Sequence, residues 1–309
     1  MEHHRSLDTI NLESSWLAVG VFDGVHRGHQ EIIKRLTTGA HENNMSAVVL
    51  TFDPHPAKLF GRGEIRLLTL PDERAGLLGG MGVDVVVTIP FDRSVADTSA
   101  FDFMKLLKER LGLSHLVLGY DSALGKNREG NAARLAEIGS ELGYTVETVP
   151  ALSDESGVIS STEIRKLIST GNVRDAARLM GHPYQLRGTV IRGDQRGRTI
   201  GFPTANLRYA EDKLIPAGGI YTCWAHVHGE KFGAAVNIGT NPTFTPEKQT
   251  LSVEAYLLDF DAEIYGEEIQ LEFVLRLRDE MKYDSVEALI LQIKDDVSKT
   301  RKVLDEWRS

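Results

Sequence analysis

The sequence predicts two domains in series: an α/β domain built on a mostly parallel sheet, then a compact antiparallel β-barrel followed by a C-terminal helix. Three observations carry this expectation. Up to about residue 150, short apolar β-rich runs alternate with amphipathic helical patterns, as they do where a parallel sheet has helices on both faces. From residue 184 onward, strands succeed one another without intervening helices and glycines are frequent, as in a small barrel. Between the two, Gly181 and Pro183 stop a helical pattern, which places the boundary near 181–185 and gives domains of residues 1–183 and 184–309.

In the first domain the expected strands are 17–21, 47–52, 84–89, 115–119 and 145–149. The expected helices lie after residue 29, where Ile32, Ile33 and Leu36 share a face, and near 71–80, 99–111 and 132–142. In the second domain the strands are 184–192, 219–227, 231–237, 251–258 and 268–277. A final helix from about Ser285 to Trp307 carries Val286, Leu289, Ile290, Ile293, Val297 and Leu304 on one face, which is expected to pack on the barrel.

The 309 residues suffice for two cores, and 41% hydrophobic with 26% charged residues is ordinary for a globular protein. A net charge of −9 argues against a partner bound through a broad cationic face, so small phosphorylated molecules are expected rather than nucleic acid. One cysteine, Cys223, leaves no internal disulfide. The first residues, MEHHRSLDTI, contain no apolar leader, and no run reaches the length of a membrane span. A cytoplasmic protein without membrane contact, monomeric or weakly self-associating, is expected.

The stretch LAVGVFDGVHRGHQEIIKRL, Leu17 to Leu36, reads as strand, tight loop and helix. Helix N–H groups and the positive dipole end at such a junction favour an anion, and glycines at 24 and 28 let it approach the backbone. His26 and His29 can donate hydrogen bonds to oxygens that gain charge as a phosphorus centre is attacked. A zinc site is disfavoured, since the cysteine is distant and no third histidine lies nearby. At the end of the next strand, TFDPHP holds Asp53 and His55 between prolines, which by itself signifies a rigid turn. The run Gly119 to Asn131 is no P-loop, because five residues separate Gly119 from Gly125 and Asn127 follows Lys126.

In SSTEIR, Ser161 or Thr162 caps a helix with Arg165 one turn in. The same arrangement directs hydroxyls, N–H groups and a guanidinium toward one point, which suits a departing pyrophosphate. Farther on, GTVIRGDQRGRTIGFPTANL spreads Gly188, Gly193, Gly197 and Gly201 around three arginines. Thr204 and Asn206 alternate along a strand and so share a face, and two neutral oxygens beside nucleotide phosphates suit magnesium.

The motif GxFDGxHxGH, Gly20 to His29, resembles the start of the bacterial bifunctional riboflavin kinase and FMN adenylyltransferase family, also called FAD synthetase. The resemblance implies a Rossmann-like nucleotidyltransferase domain followed by a riboflavin kinase barrel. It implies that Gly20, Phe22, Asp23, Gly24, Gly28, Asp53 and His55 line the ATP site of the first domain. There His26 and His29 would act on the α-phosphate, with Ser161, Thr162 and Arg165 holding the triphosphate. Phe60, Asp121 and Leu124 would lie near the flavin, although Ser122 and Leu124 stand where the family usually has phenylalanines.

In the kinase domain the resemblance implies that Gly188, Gly193, Arg198, Gly201, Thr204 and Asn206 hold ATP, with Mg2+ on Thr204 and Asn206. VNIGTNPTF, Val236 to Phe244, continues the likeness. Glu254, in VEA, would be the base for the 5′-hydroxyl of riboflavin, and Arg278 would sit beside the flavin. ATP, riboflavin, FMN and FAD are then the substrates and products. Two other readings stay open: a riboflavin kinase alone, with Ser122 and Leu124 weakening the first domain, or a flavin- or nucleotide-binding regulator without turnover.

Overall fold

The computed structural model describes residues 1–61, 65–155, 157–193, 196–240 and 251–308. They form two compact units, Met1–Ser161 and Thr162–Ser309.

The first unit begins with β1 (Glu2–His4) and continues through β2 (Ser15–Val19), α1 (Arg27–Glu42), β3 (Ser46–Phe52), α2 (Pro56–Leu59), α3 (Pro71–Gly80) and β4 (Val85–Ile89). It is completed by α4 (Arg93–Ala96), α5 (Ala100–Leu111), β5 (Leu113–Gly119), α6 (Ala132–Leu142), β6 (Thr145–Val149) and the small antiparallel pair β7 (Ser153–Asp154) and β8 (Gly157–Val158). Strands β1 to β6 make one parallel sheet in the order β1-β4-β3-β2-β5-β6. The expected strands and helices all appear. The additional edge strand β1 has no apolar pattern to announce it, because Glu2, His3 and His4 are held by pairing with Val85, Val86 and Val87.

Alternation along the strands feeds a core on each face of the sheet. Leu17, Val19, Leu50 and Leu116 pack with Phe103, Met104 and Leu107 of α5 on one side. Ala18, Val49 and Val86 pack with Ile33, Leu36 and Ala40 of α1 on the other. Each of the larger side chains among them contributes about 1.5–3 kcal/mol on burial. Helix α1 is therefore pressed flat on the sheet, and its first turn lies just beyond the carboxyl end of β2.

The second unit contains α7 (Ser161–Ser169, from its second residue), α8 (Val173–Met180), β9 (Tyr184–Ile191), α9 (Arg196–Thr199), β10 (Ala205–Arg208), β11 (Gly219–Val227), β12 (Glu230–Thr240), β13 (Leu251–Leu257), β14 (Glu268–Arg278) and α10 (Val286–Arg308). Six strands close a barrel in the order β10-β13-β12-β11-β14-β9, every pairing antiparallel. Alternate residues such as Leu186, Tyr221, Val236, Ala255 and Phe273 are fully buried. Helix α10 covers the outer side of β11, with Leu304 against Trp224 and Val274. Its first turn stands clear, for Val286 is exposed instead of joining the buried face.

The seam between the units falls twenty-odd residues before the boundary read from the sequence. Helices α7 and α8 bury Ile164, Ile168, Val173, Ala176, Leu179 and Met180, α8 packs on β9 and β14, and the Ala217 N–H donates to Ile168 O at 3.3 Å.

Candidate functional site

Strand β2 has β3 on one side and β5 on the other, so the sheet order reverses at β2 and leaves a crevice beyond its carboxyl end. The loop entering that crevice turns tightly, with positive φ at Phe22 (50°), Gly24 (83°) and Val25 (40°). A Cβ at Gly24 would lie 2.8 Å from Leu68 Cδ1, so both space and backbone demand glycine. Asp23 is only 1% exposed. Its carboxylate accepts from Leu68 N (3.1 Å), Thr69 N (2.8 Å) and Thr69 Oγ1 (3.1 Å), while Gly24 N donates to Thr69 Oγ1 (2.9 Å). Phe22 is buried with its ring beneath Gly20. Gly20, Phe22 and Asp23, expected at ATP, thus frame the loop, and the Asp23 carboxylate is turned to the 68–69 backbone.

His26 caps α1, its Nδ1 accepting from His29 N at 3.4 Å. The two imidazoles stack at 3.6 Å between centroids and 20° between planes, and Phe22 meets His29 edge-on at 5.2 Å. Gly28 permits this, since a Cβ there would come within 3.2 Å of the His26 ring. His29 Nδ1 is enclosed without a hydrogen-bond partner among the described residues. Burial first, then the neighbouring His26 and Arg74, hold the His29 pKa well below its usual 6.5. The ring is therefore neutral at pH 7, a hydrogen-bond donor that adds no charge.

Ser161, at the start of α7, donates from Oγ to Asp23 O at 2.9 Å and so joins the SSTEIR segment to the histidine loop. Thr162 is exposed and Arg165 half-buried one turn later.

Sequence reasoning missed Arg74. It lies 1% exposed on α3 and binds Thr51, Phe52 and Thr69 around the loop. The available signal was a charged residue four positions before Leu78, on the stripe that α3 buries.

Asp53 is exposed beside the cis Asp53–Pro54 bond, and His55 caps α2 by accepting from Ala57 N at 3.1 Å. Phe60 is 54% exposed, with Phe91 behind it at 6.2 Å. Asp121 is exposed after β5, its backbone oxygen accepting from Arg128. Leu124 departs from expectation. It exchanges backbone hydrogen bonds with Gly130 at 2.9 Å and packs, 9% exposed, in the first unit's core, because an aliphatic chain at this position gains more from the core than from a wet loop.

In the second unit, Asn206 and Glu254 are direct partners across β10 and β13, and Glu254 faces Asn237 across β12. Thr204, one alternation before Asn206, donates to Glu254 Oε2 at 3.5 Å. Asn237 Oδ1 is enclosed without a partner among the described residues, a further polar group that the sequence reading did not single out. A Cβ at Gly193 would lie 2.5 Å from Asn206 Nδ2, so the loop after β9 presses on that amide. Neutral oxygens of Thr204 and Asn206 beside one carboxylate fit magnesium, which takes few protein ligands and keeps water.

Gly201 has φ of 88° with open space around it, and Arg198 lies in α9. Gly188 is instead a barrel position, close under Arg208 O. Arg278 also differs from expectation: Nε and Nη2 bind the buried Asp296 (closest approach 2.6 Å) and Nη1 binds Asp279 O. That pair fastens α10 to β14. Residues 241–244 of VNIGTNPTF lie outside the described residues.

Two family models match the chain: one described as FAD synthetase over residues 8–163, the other as riboflavin kinase over 180–304. Among curated proteins, a bifunctional riboflavin kinase/FMN adenylyltransferase of Listeria monocytogenes is 40% identical over 92% of this chain and 91% of its own length. Proteins of the same description from Bacillus subtilis and Escherichia coli K12 are each 35% identical, covering 91% and 92% of this chain and 90% and 91% of their own. A solved structure described as a macrolide-efflux protein from Streptococcus pneumoniae superposes with a TM-score of 0.87 at 32% identity, over 97% of this chain and 98% of that one. No helix among the described residues is long and apolar enough to cross a membrane.

Proposed function

Because the chain belongs to the family of bifunctional riboflavin kinase/FMN adenylyltransferases, we propose that residues 1–183 carry its adenylyl transfer and residues 184–309 its kinase reaction. The enzyme phosphorylates riboflavin with ATP to give FMN, then transfers AMP from ATP to FMN, giving FAD and pyrophosphate. A kinase acting alone and a regulator without turnover are not favoured.

One observation supports the division: each unit gathers its own phosphate-handling cluster, the stacked His26 and His29 in one and Thr204, Asn206 and Glu254 in the other. In the first, the α-phosphate of ATP settles at the first turn of α1, where N–H groups lack intrahelical acceptors. His26 and His29 donate to its oxygens as the FMN phosphate attacks, with Ser161 at the side from which pyrophosphate departs. This is catalysis by positioning and electrostatics. The exposed face of Phe60 stacks on the flavin ring.

In the second unit, Glu254 accepts the proton of the riboflavin 5′-hydroxyl as that oxygen attacks the γ-phosphorus. Thr204 and Asn206 hold Mg2+, which neutralises phosphate charge when bound. Arg198, Gly193 and Gly201 lie along the ATP phosphates, and Arg278 serves by fixing α10. The enzyme works in the cytoplasm on small molecules, without nucleic acid, as a monomer or weak homo-oligomer.

The test is to incubate the protein with riboflavin and MgATP and to resolve the flavins by chromatography. FAD is the expected product. FMN alone would leave only the kinase assignment standing, and unchanged riboflavin would remove both.

A further inference from the structure

Arg74 is among the largest fully buried side chains of the molecule. Its Nη1 donates to Thr51 Oγ1 at 2.8 Å and to Phe52 O at 3.4 Å, and its Nη2 donates to Thr69 O at 3.2 Å. Each acceptor belongs to the wall of the histidine loop. Thr51 Oγ1 in turn donates to Val21 O at 2.9 Å, two residues beyond the end of β2. Phe52 is the last residue of β3. Thr69 holds Gly24 N and Asp23. A planar fork reaches these segments at once, which a single ammonium cannot do with the same geometry.

We propose that Arg74 is a positioning residue for adenylyl transfer, fixing the loop that carries His26 and His29 through Thr51, Phe52 and Thr69 while keeping a positive charge beneath the site of attack. The inference rests on the adenylyl-transfer reading of the first unit. Charge and geometry act together here. Among the described residues, the charged or titratable groups that bear on His29 are His26 of its own loop and Arg74 of α3, while the Asp23 carboxylate accepts from Leu68 and Thr69. Arg74 thus opposes a second proton on His29, and the enclosed Nδ1 offers such a proton no acceptor. The ring stays neutral and in register with the phosphate.

The experiment compares the full-length wild type with Arg74→Gln and Arg74→Lys. FAD formation from FMN and MgATP is followed from about pH 5 to 9, spanning the histidine range, and riboflavin phosphorylation is measured on the same samples. Arg74→Gln is expected to lower kcat for FAD formation about 100-fold with little change in KM for ATP, the size of effect that a small misplacement of catalytic groups produces. Its acid limb moves to higher pH as His29 relaxes toward its ordinary pKa, and FMN formation is unchanged. Arg74→Lys retains the acid limb but loses part of kcat.

Arg74→Gln with a wild-type rate and acid limb would overturn the proposal, and so would a loss of kcat with an unmoved acid limb, which marks a merely structural role. Should the glutamine variant fail to fold, the lysine variant decides: an unchanged kcat overturns the proposal. A wild type that makes no FAD removes the adenylyl-transfer reading itself, an outcome distinct from wild-type synthesis that ignores Arg74.

Discussion

Asn206 and Glu254 face each other as register partners across β10 and β13, and Thr204 donates to the same carboxylate at 3.5 Å. A carboxylate beside two neutral oxygen donors can accept a proton while those donors hold the nucleotide and its cation. Glu254→Gln keeps the shape of the group and removes its basicity. It is expected to slow FMN formation from riboflavin by about 10²–10⁴-fold, the range for loss of a general base. FAD formation from supplied FMN should be unchanged, and chromatography of the two reactions separates these outcomes.

Gly193→Ala tests the neighbouring contact. The new methyl would overlap the Asn206 amide, which swings away because it ends a mobile side chain. The barrel core is untouched, so the melting temperature should stay near wild type. The KM for ATP in the kinase reaction should rise, and FAD synthesis from FMN should not move. An unaltered kinase KM would mean that Asn206 does not hold the nucleotide.

Legibility followed the apolar patterns. The spans of α3 and α6 match to the residue because a proline or asparagine starts each helix, and β6 matches although it is only partly buried. Glu2–His4 escaped because its strand character comes from Val85–Val87 and not from its own side chains. In the site, His26 stacks on His29, and Thr204 and Asn206 lie beside Glu254, a residue that only the family resemblance had singled out. Asp23 turns to the 68–69 backbone, Leu124 to the core and Arg278 to Asp296, directions that a sequence does not name. Arg74 was hidden for the converse reason: its acceptor Thr51 lies 23 residues away and meets it only in the fold.

His29 also makes the first unit sensitive to acid. Its folded pKa is depressed by burial, then by His26 and Arg74. In the unfolded chain it returns to about 6.5, so below that pH the unfolded state takes up a proton that the folded state refuses. Stability from this group is fully present above pH 6.5 and is lost as pH falls toward the lowered folded value. Denaturant midpoints between pH 7.5 and 5 should therefore fall less steeply in His29→Asn than in wild type. Parallel slopes would place His29 in ordinary contact with water.

The position of α7 and α8 makes the choice of fragment decisive. Ile164, Ile168, Val173, Ala176, Leu179 and Met180 are buried in the second unit. The turn between the helices places Gly171, with φ of 81°, against Arg276 and Tyr221, where a Cβ would lie 2.7 Å from Arg276 Cδ. Tyr221 donates to Ala217 O at 2.5 Å, and Ala217 N–H donates to Ile168 O. A fragment of residues 184–309 leaves the covered surface of β9 and β14 bare. At about 1.5–3 kcal/mol for each large apolar side chain, three or four lost contacts approach the ~5–15 kcal/mol that stabilises a typical domain. The fragment 162–309 should therefore unfold cooperatively and phosphorylate riboflavin, while 184–309 should melt far lower or not fold. Equal melting midpoints would show that α7 and α8 contribute nothing to the barrel. The same reasoning makes 1–183 a poor adenylyltransferase in isolation, because its last two helices would lose the surface that buries them.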